Sequence, residues 1–302
     1  MRAIVTGGAG FIGSHVAEAL LARGDEVHVV DNLATGSPGN VPSGAELHEV
    51  DIRSAALGEL VARLEPELVF HLAAQADVGT SVERPDFDAD VNVVGTVRVL
   101  ETARAAGARV VFSSTGGAMY GECVEPAGES HPREPLSPYG TSKLAGEEYL
   151  ATWNRLHGMT NVVCRLANVY GSRQLPSLEG GVVAIFLNRL RSGEQTAIYG
   201  DGLQTRDFVY AGDVAAALLA AADGSGVYNV GTGIRTSVLD LHRLCAEVAG
   251  VEREPELAAA RPGDLRDSVL DPGRAERELG WRPGHTLAEG LAATWDWVAS
   301  SA

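Results

Sequence analysis

The sequence predicts an α/β fold: a doubly wound parallel sheet followed by a smaller C-terminal α/β domain. Three observations carry this. Short β-rich runs alternate with longer helical patterns through residue 166. A glycine-rich segment, Gly7-Gly8-Ala9-Gly10-Phe11-Ile12-Gly13, stands where the first strand gives way to the first helix. The alternation ends near Tyr170 in a loop of Gly, Pro and Ser, residues 171–181. Strands regularly separated by helices imply βαβ units, and the right-handed crossover rule then covers both faces of the sheet.

In order, Ala3–Thr6 reads as a strand and Phe11–Arg23 as a helix. Strands follow at Glu26–Val30 and Leu47–Val50, then a helix over 54–64 and a strand over Leu68–His71. A long helix is expected over 87–106, a strand over 109–113, a helix over 138–157 and a strand over 161–166. Beyond the loop come a helix over 182–191 and short strands near Ala197 and Phe208. Helices follow over 213–222, 238–248 and 287–299. The division is residues 1–170 and 171–302, with some late elements free to return to the first domain.

Composition narrows the function. The 302 residues carry 24 Lys and Arg against 40 Asp and Glu, a net charge of −16. Such a chain lacks the net basic face that nucleic acid needs, and an anionic membrane would repel it. The longest apolar run, Val214–Ala222, is far too short to span a bilayer. The first apolar run, residues 3–5, leads straight into the glycine segment, so no signal peptide is expected. Cys123, Cys164 and Cys245 are few and widely spaced, which suggests buried thiols in a reducing cytoplasm and no zinc or other metal site.

The glycine segment fits G-x-G-x-x-G through Gly8, Gly10 and Gly13, and G-x-x-G-x-x-G through Gly7, Gly10 and Gly13. Here glycine lets a pyrophosphate approach the free N–H groups of the helix N-terminus. The second strand ends at Asp31, 18 residues past Gly13, where a carboxylate accepts hydrogen bonds from the adenosine ribose. That carboxylate would repel a 2′-phosphate, so the expected cofactor is NAD, bound to a Rossmann-type sheet. Asp51 and Ile52, after the third strand, are placed for the adenine.

A second constellation carries chemistry. The fifth strand ends in Ser113-Ser114-Thr115, and Tyr139 and Lys143 share one face of a downstream helix. A lysine one turn away and a positive nicotinamide both favour the phenolate of a tyrosine, which is otherwise a poor base at neutral pH. A hydroxyl from Ser114 or Thr115, with Thr115 preferred, holds a substrate oxygen in line. The set is a general acid–base device beside a hydride acceptor.

These motifs resemble the extended short-chain dehydrogenase/reductase family, and within it the nucleotide-sugar 4-epimerases of UDP-galactose 4-epimerase type. Residues 6–15, Asp31-Asn32-Leu33, His71-Leu72-Ala73-Ala74-Gln75, Asn92, Tyr139-x-x-x-Lys143 and Asn168-Val169-Tyr170-Gly171 carry the likeness. So do Ala197–Gly200, Thr205–Phe208 and Arg261-Pro262-Gly263-Asp264. The resemblance implies that Thr115, Tyr139 and Lys143 are catalytic. It implies an NAD site from Gly7, Gly10, Phe11, Ile12, Gly13, Asp31, Asn32, Leu33, Thr35, Gly36, Asp51, Ile52, Leu72, Ala73, Ala74, Gln75, Asn92, Ser113, Tyr139 and Lys143. For the UDP-sugar it implies Val78, Ser114, Thr115, Tyr139, Asn168, Val182, Ala197, Tyr199, Arg206, Arg261 and Asp264. Tyr199 would pack on the base, Arg206 and Arg261 would clamp the diphosphate, and Asp264 would touch a ribose. It further implies a homodimer through the long helices near 87–106 and 138–157. The mechanism it implies is transient oxidation at sugar C4, turning of the keto sugar, and hydride return to its other face.

Competing chemistries make different demands. Related dehydratases carry an Asp-Glu pair after the strand-five Thr, and related decarboxylases a Glu; here stand Gly116-Gly117, which transfer no proton. One residue is gained between the hydroxyl and Tyr120-Gly121, and Ala76 occupies a position where some epimerases have lysine. Asp31 argues against an NADPH-dependent ketoreductase. The retained Tyr139 and Lys143 argue against a non-catalytic NAD-binding scaffold. UDP-glucose/UDP-galactose is the expected substrate pair. UDP-glucuronate is the alternative, with Arg173, Arg189 or Arg191 as the cation it would need in place of the apolar Leu175. The base, uracil or thymine, stays open.

Overall fold

β1 (Arg2–Thr6) leads through the glycine segment into α1 (Phe11–Arg23), and β2 (Glu26–Asp31) returns beside it. β3 (Glu46–Glu49), α2 (Ala56–Leu64) and β4 (Leu68–His71) follow. Next come α3 (Val78–Glu83), α4 (Pro85–Ala89), a π-helical turn over Asp90–Val94 and α5 (Gly95–Ala106). β5 (Arg109–Thr115), α6 (Pro138–His157), β6 (Val162–Leu166) and β7 (Asn168–Tyr170) complete the first part. Then come α7 (Val182–Ser192), β8 (Ala197–Tyr199), β9 (Thr205–Tyr210), α8 (Ala211–Ala221), β10 (Gly226–Val230), β11 (Arg235–Ser237) and α9 (Val238–Ala249). The chain ends with β12 (Glu256–Ala258), β13 (Asp267–Ser268), α10 (Gly273–Leu279) and α11 (Leu287–Ser300). This computed structural model describes residues 1–176, 181–260 and 265–300.

The central sheet is all parallel, in the order β10-β6-β5-β4-β1-β2-β3. Its inner strands are buried on both faces, so they read as near-continuous apolar runs such as Ala3-Ile4-Val5, while the edge strand β3 is partly exposed. One face packs on α1 and α8 around Val16, Leu20, Phe70, Val214 and Leu218. The other packs on α2, α5 and α6 around Ile4, Leu60, Leu100, Phe112 and Leu150. Burying a side chain the size of Phe70, which is wholly inaccessible, contributes about 1.5–3 kcal/mol.

Elements past residue 170 cross back into this sheet. β10 adds its seventh strand by pairing with β6, and α8 covers α1. The remaining C-terminal elements form a small sheet, β11-β9-β13 with β7 on β9, and a β8–β12 pair. Those strands pack with α7, α9 and α11 around Phe186, Leu187, Leu241 and Leu291.

The long helix expected from residue 87 starts at Pro85 and carries the π turn before α5; Pro85 at its first position also separates it from α3. Cys123, Cys164 and Cys245 are buried and form no disulfide. Among the described residues no helix is long and apolar enough to cross a membrane.

Candidate active site

The sheet order reverses between β1 and β4, so the loops leaving their C-terminal ends diverge and open a crevice, the usual ligand site of an open α/β sheet. A cleft of about 830 Å³ runs from there across the ends of β1, β2, β4 and β5 to the small C-terminal sheet.

Glycine chemistry shapes its floor. Gly7 has φ +70°, and a Cβ there would lie 2.7 Å from the Ala73 backbone nitrogen. A Cβ on Gly13 would lie 2.1 Å from the Gly7 carbonyl oxygen. The first turn of α1 therefore packs directly on the loop, and Gly10, its N-cap, has no side chain to cover the first helical N–H groups. This is a cradle for an anion.

Asp31 fixes the next position. One carboxylate oxygen accepts from the Ala9 N–H at 3.0 Å and the other from the Leu33 N–H at 2.9 Å, which ties the end of β2 to the glycine loop. Beside it, Arg53 bonds both oxygens of Asp51, and Asn32 donates to one of them at 2.9 Å. The Arg53 hydrogen bonds hold the Asp51 carboxyl well below the usual carboxylate range.

Beneath the crevice lies a buried relay. Thr96 Oγ1 donates to the Asn92 carbonyl at 2.6 Å, so it accepts from His71 Nε2–H at 3.0 Å. His71 Nδ1 then accepts from Thr6 Oγ1 at 2.7 Å, and that oxygen accepts the Ala73 N–H at 3.3 Å. Burial, with Lys143 adding to it, pulls the His71 imidazole down to about 3, so it is the neutral Nε2–H tautomer at physiological pH. The relay pins the β1 end to the loop after β4.

At the other end, α6 is capped by Ser137, which accepts from the Gly140 N–H, and begins with Pro138. That sets Tyr139 in the first turn and Lys143 one turn on, both lining the cleft. Lys143 is 4% exposed, and its Nζ donates to the Ser113 carbonyl at 2.9 Å over the Phe112 ring. Burial lowers its ammonium to about 8.

The two candidate hydroxyls have different surroundings. Ser114 Oγ donates at 2.6 Å to Glu147, which forms a buried ion pair with Arg165. Arg165 also reaches Tyr120 Oη at 2.7 Å. Thr115, on the opposite side of the strand, is half-buried, and its Oγ1 accepts from the Ala118 N–H at 3.2 Å. Its hydroxyl proton remains available for a ligand.

Most of the expected residues meet in this one cleft. Gly7, Gly10, Phe11, Ile12, Gly13, Asp31, Asn32, Thr35, Asp51, Ile52, Leu72, Ala73, Ala74, Gln75 and Ser113 line one end. Ser114, Thr115, Asn168, Val182, Ala197, Tyr199 and Arg206 line the other, with Tyr139 and Lys143 between.

Four expected residues stand outside its wall. Leu33 has φ +56° and packs on the core under the loop. Gly36 backs onto the Asp31 carboxylate, 3.0 Å from where its Cβ would be. Val78 opens α3 and is exposed. Asn92 is 2% exposed, and its amide is spent on Gln75 N–H and C=O, Asp88 and Ser142. Arg261 and Asp264 lie outside the described residues. Among lining residues not anticipated, Arg53, Phe87, Gln174 and Gln204 have no motif of their own. Of these, Arg53 is the one whose sequence position offers a signal, two residues from the candidate Asp51.

Residues 3–231 match the NAD dependent epimerase/dehydratase family. The UDP-glucose 4-epimerase of Mycolicibacterium smegmatis is 47% identical over 304 residues, covering 97% of each chain. The solved UDP-glucose 4-epimerase of Thermotoga maritima, crystallised with UDP-glucose, is 44% identical with a TM-score of 0.96 over 98% of each chain. That of Thermus thermophilus, in complex with NAD, is 45% identical with a TM-score of 0.95 over 100% of both. With most of its length matched by the family model and its whole architecture shared with these enzymes, the chain belongs to the NAD dependent epimerase/dehydratase family.

Proposed function

We propose that the chain is an NAD-dependent isomerase that interconverts UDP-glucose and UDP-galactose by inverting C4 of the sugar. The observation that carries the reading is the poverty of proton-transfer groups at the reacting end. Among the described residues, the carboxylates lining the cleft are Asp31, Asp51 and Asp77. The first two stand at the β2–β3 end, and Asp77 caps α3 by accepting from the Thr80 N–H. On β5 and α6, the ionisable groups among the described lining residues are Tyr139 and Lys143. Gly116 and Gly117 carry no proton-transfer group, and a side chain at Gly116 would have to displace Leu270, 2.6 Å from where its Cβ would be. C4 inversion needs a single acid–base group, whereas dehydration needs further groups for C5 and C6.

The cradle suits NAD. The Gly7–Gly13 floor receives its pyrophosphate, Asp31 its adenosine ribose, and the Asp51–Arg53 pair flanks its adenine. When bound, NAD supplies a hydride acceptor and donor at the sugar carbon. Tyr139 removes the proton of the C4 hydroxyl and later restores it. Lys143 holds positive charge one turn away, which favours the phenolate, and Thr115 orients the C4 oxygen. Arg206, Tyr199 and Asn168 hold the nucleotide, with Arg261 and Asp264 as further contacts. Binding energy must sit on the nucleotide, because the keto sugar has to present both faces. Residues 1–170, with β10, α8 and α10, form the cofactor half, and the remaining C-terminal elements form the sugar-nucleotide half.

A neutral sugar is favoured over a uronate. Arg173 pairs with Glu18 at 2.8 Å, Arg189 with the Gln195 carbonyl, and Arg191 with the Val298 carbonyl at 2.7 Å, which draws all three to partners elsewhere. Exposed Val94 in the π turn, with Leu136, Tyr149 and Leu156 beside and on α6, support a homodimer through the helices over 87–106 and 138–157, and the buried thiols suit a cytoplasmic enzyme. The test is proton NMR of the purified chain with UDP-glucose, and separately UDP-glucuronate, with no NAD added. A galacto-configured anomeric signal from UDP-glucose is expected. Conversion of UDP-glucuronate alone would move the assignment to the uronate, and an unchanged UDP-glucose tube after NAD is supplied would overturn it.

A further inference from the structure

Along β2 and the edge strand β3, strand pairing builds a cluster outside the cleft lining that linear spacing does not announce. β2 and β3 run in parallel with His28 opposite Glu46 and Val30 opposite His48. Side chains alternate along a strand, so Glu46 and His48 share a face, and His28 joins it from the neighbouring strand. His28 Nδ1 and His48 Nε2 lie 3.1 Å apart. Glu46 places one oxygen 3.5 Å from His28 Nδ1 and the other 3.8 Å from His48 Nε2. A tetrahedral zinc with bonds of about 2.0–2.1 Å holds its ligand atoms about 3.3–3.4 Å apart. Each pair of groups is thus within a few tenths of an ångström of that spacing, Glu46 meeting the two imidazoles through different oxygens, so a small turn of its exposed side chain is needed to bring one oxygen to both.

The surroundings match what such a site requires. His28 is 5% exposed, and its other nitrogen, Nε2, bonds Glu26 at 3.0 Å. A carboxylate behind a ligating imidazole fixes the tautomer and turns the opposite lone pair toward the metal. The Glu46 side chain is 66% exposed, which leaves an approach from solvent and a place for water. We propose that His28 Nδ1, His48 Nε2 and a Glu46 oxygen form a binding site for zinc or a similar divalent transition metal, with water as fourth ligand and Glu26 orienting His28. The ion replaces the hydrogen bond that His48 Nε2–H donates to His28 Nδ1, and His48 takes its neutral Nδ1–H tautomer instead. The site clamps the edge strand β3 onto β2 and is independent of the reaction proposed for the cleft.

The test is calorimetric titration of the chelator-treated full chain with ZnCl₂, and visible absorption after CoCl₂. One equivalent with micromolar or tighter affinity is expected, with the intense bands of four-coordinate cobalt. Glu46→Gln, an exposed change that does not threaten the fold, should weaken zinc at least tenfold. His48→Gln should remove the cobalt bands while far-ultraviolet circular dichroism stays unchanged. Absence of stoichiometric metal in the wild type, or unchanged affinity in Glu46→Gln, would overturn the proposal, whatever the His48 variant does.

Discussion

Replacing Lys143 with methionine should make the protein more stable at neutral pH and all but inactive. Burial lowers the Lys143 ammonium from its ordinary 10.5 to about 8. A shift of that size is a cost of about 3 kcal/mol to the folded chain at pH 7. The folded pKa lies below the unfolded one, so the unfolded chain binds more protons between those two values. The cost is therefore fully present below about pH 8 and falls to about 1 kcal/mol by pH 10. Methionine keeps the volume and drops the charge. It forfeits the bond from Nζ to the Ser113 carbonyl and the contact with the Phe112 ring, about 1–2 kcal/mol together. The variant should be about 1–2 kcal/mol more stable than wild type at pH 7 and should lose about 2 kcal/mol of that advantage at pH 10. Urea unfolding of both cofactor-free proteins at the two pH values measures it, and titrating groups that Lys143 does not influence cancel in the difference. Epimerase turnover should fall at least a hundredfold, because Tyr139 loses its cation. A variant less stable than wild type by the same amount at both pH values would refute the reasoning, since the buried charge would then carry no cost.

Other expectations follow from the same geometry. Tyr139→Phe should retain NAD and lose turnover by about 10²–10⁴, the usual worth of a general acid–base group; steady-state kinetics checks this, and full activity would contradict the assignment. Gly13→Ala forces a methyl against the Gly7 carbonyl, overpacking worth about 1–3 kcal/mol, so NAD released on denaturing the purified variant should drop at least tenfold per chain. Glu147→Ala leaves Arg165 buried and unpaired and should cost about 3–5 kcal/mol in a urea melt, with Arg165→Met on the same background restoring part of it.

The elements legible in the sequence are those written in local chemistry. α1, α6 and β4 match their expected bounds to the residue, because Gly24 and Gly158 stop the helices in left-handed turns and Ser137-Pro138 starts α6. Asp31 was legible because β2 ends there and its carboxylate has backbone donors to meet. What escaped depends on partners distant in sequence. β10 is five residues long, and its place comes from pairing with β6 across some sixty residues; Asn229 within it is buried, held by Tyr120 and the Ala127 carbonyl, which breaks the apolar pattern of a core strand. Asn92 reads as a cofactor contact by position, yet the π turn carries its amide onto the Gln75 backbone, where it supports the crevice from behind. The Glu147–Arg165 pair spans α6 and β6, and the His28–Glu46–His48 cluster spans β2 and β3, so neither leaves a linear motif.

The roles divide cleanly along the cleft. Its β1–β2–β3 end is glycine backbone, the backbone-bonded Asp31 and the Asp51–Arg53 ion pair, suited to holding a cofactor through many turnovers. Its β5–α6 end has a half-buried tyrosine and threonine over a buried lysine, suited to moving one proton. Between the Ser114–Glu147–Arg165 network and the His71 relay, both ends rest on polar groups that are fully paired, so their geometry is set before any ligand arrives.

The central claim is that the hydrogen at sugar C4 leaves and returns on the other face without meeting solvent. The measurement is conversion of UDP-glucose deuterated at C4 in ordinary water, followed by deuterium and proton NMR of the product. The account predicts UDP-galactose with the deuterium retained at C4 and none in the solvent. Loss of deuterium to water, with protium at C4 of the product, would contradict it, because inversion would then proceed by proton exchange at carbon, and the paired Tyr139 and Lys143 beside the glycine cradle would serve some other step.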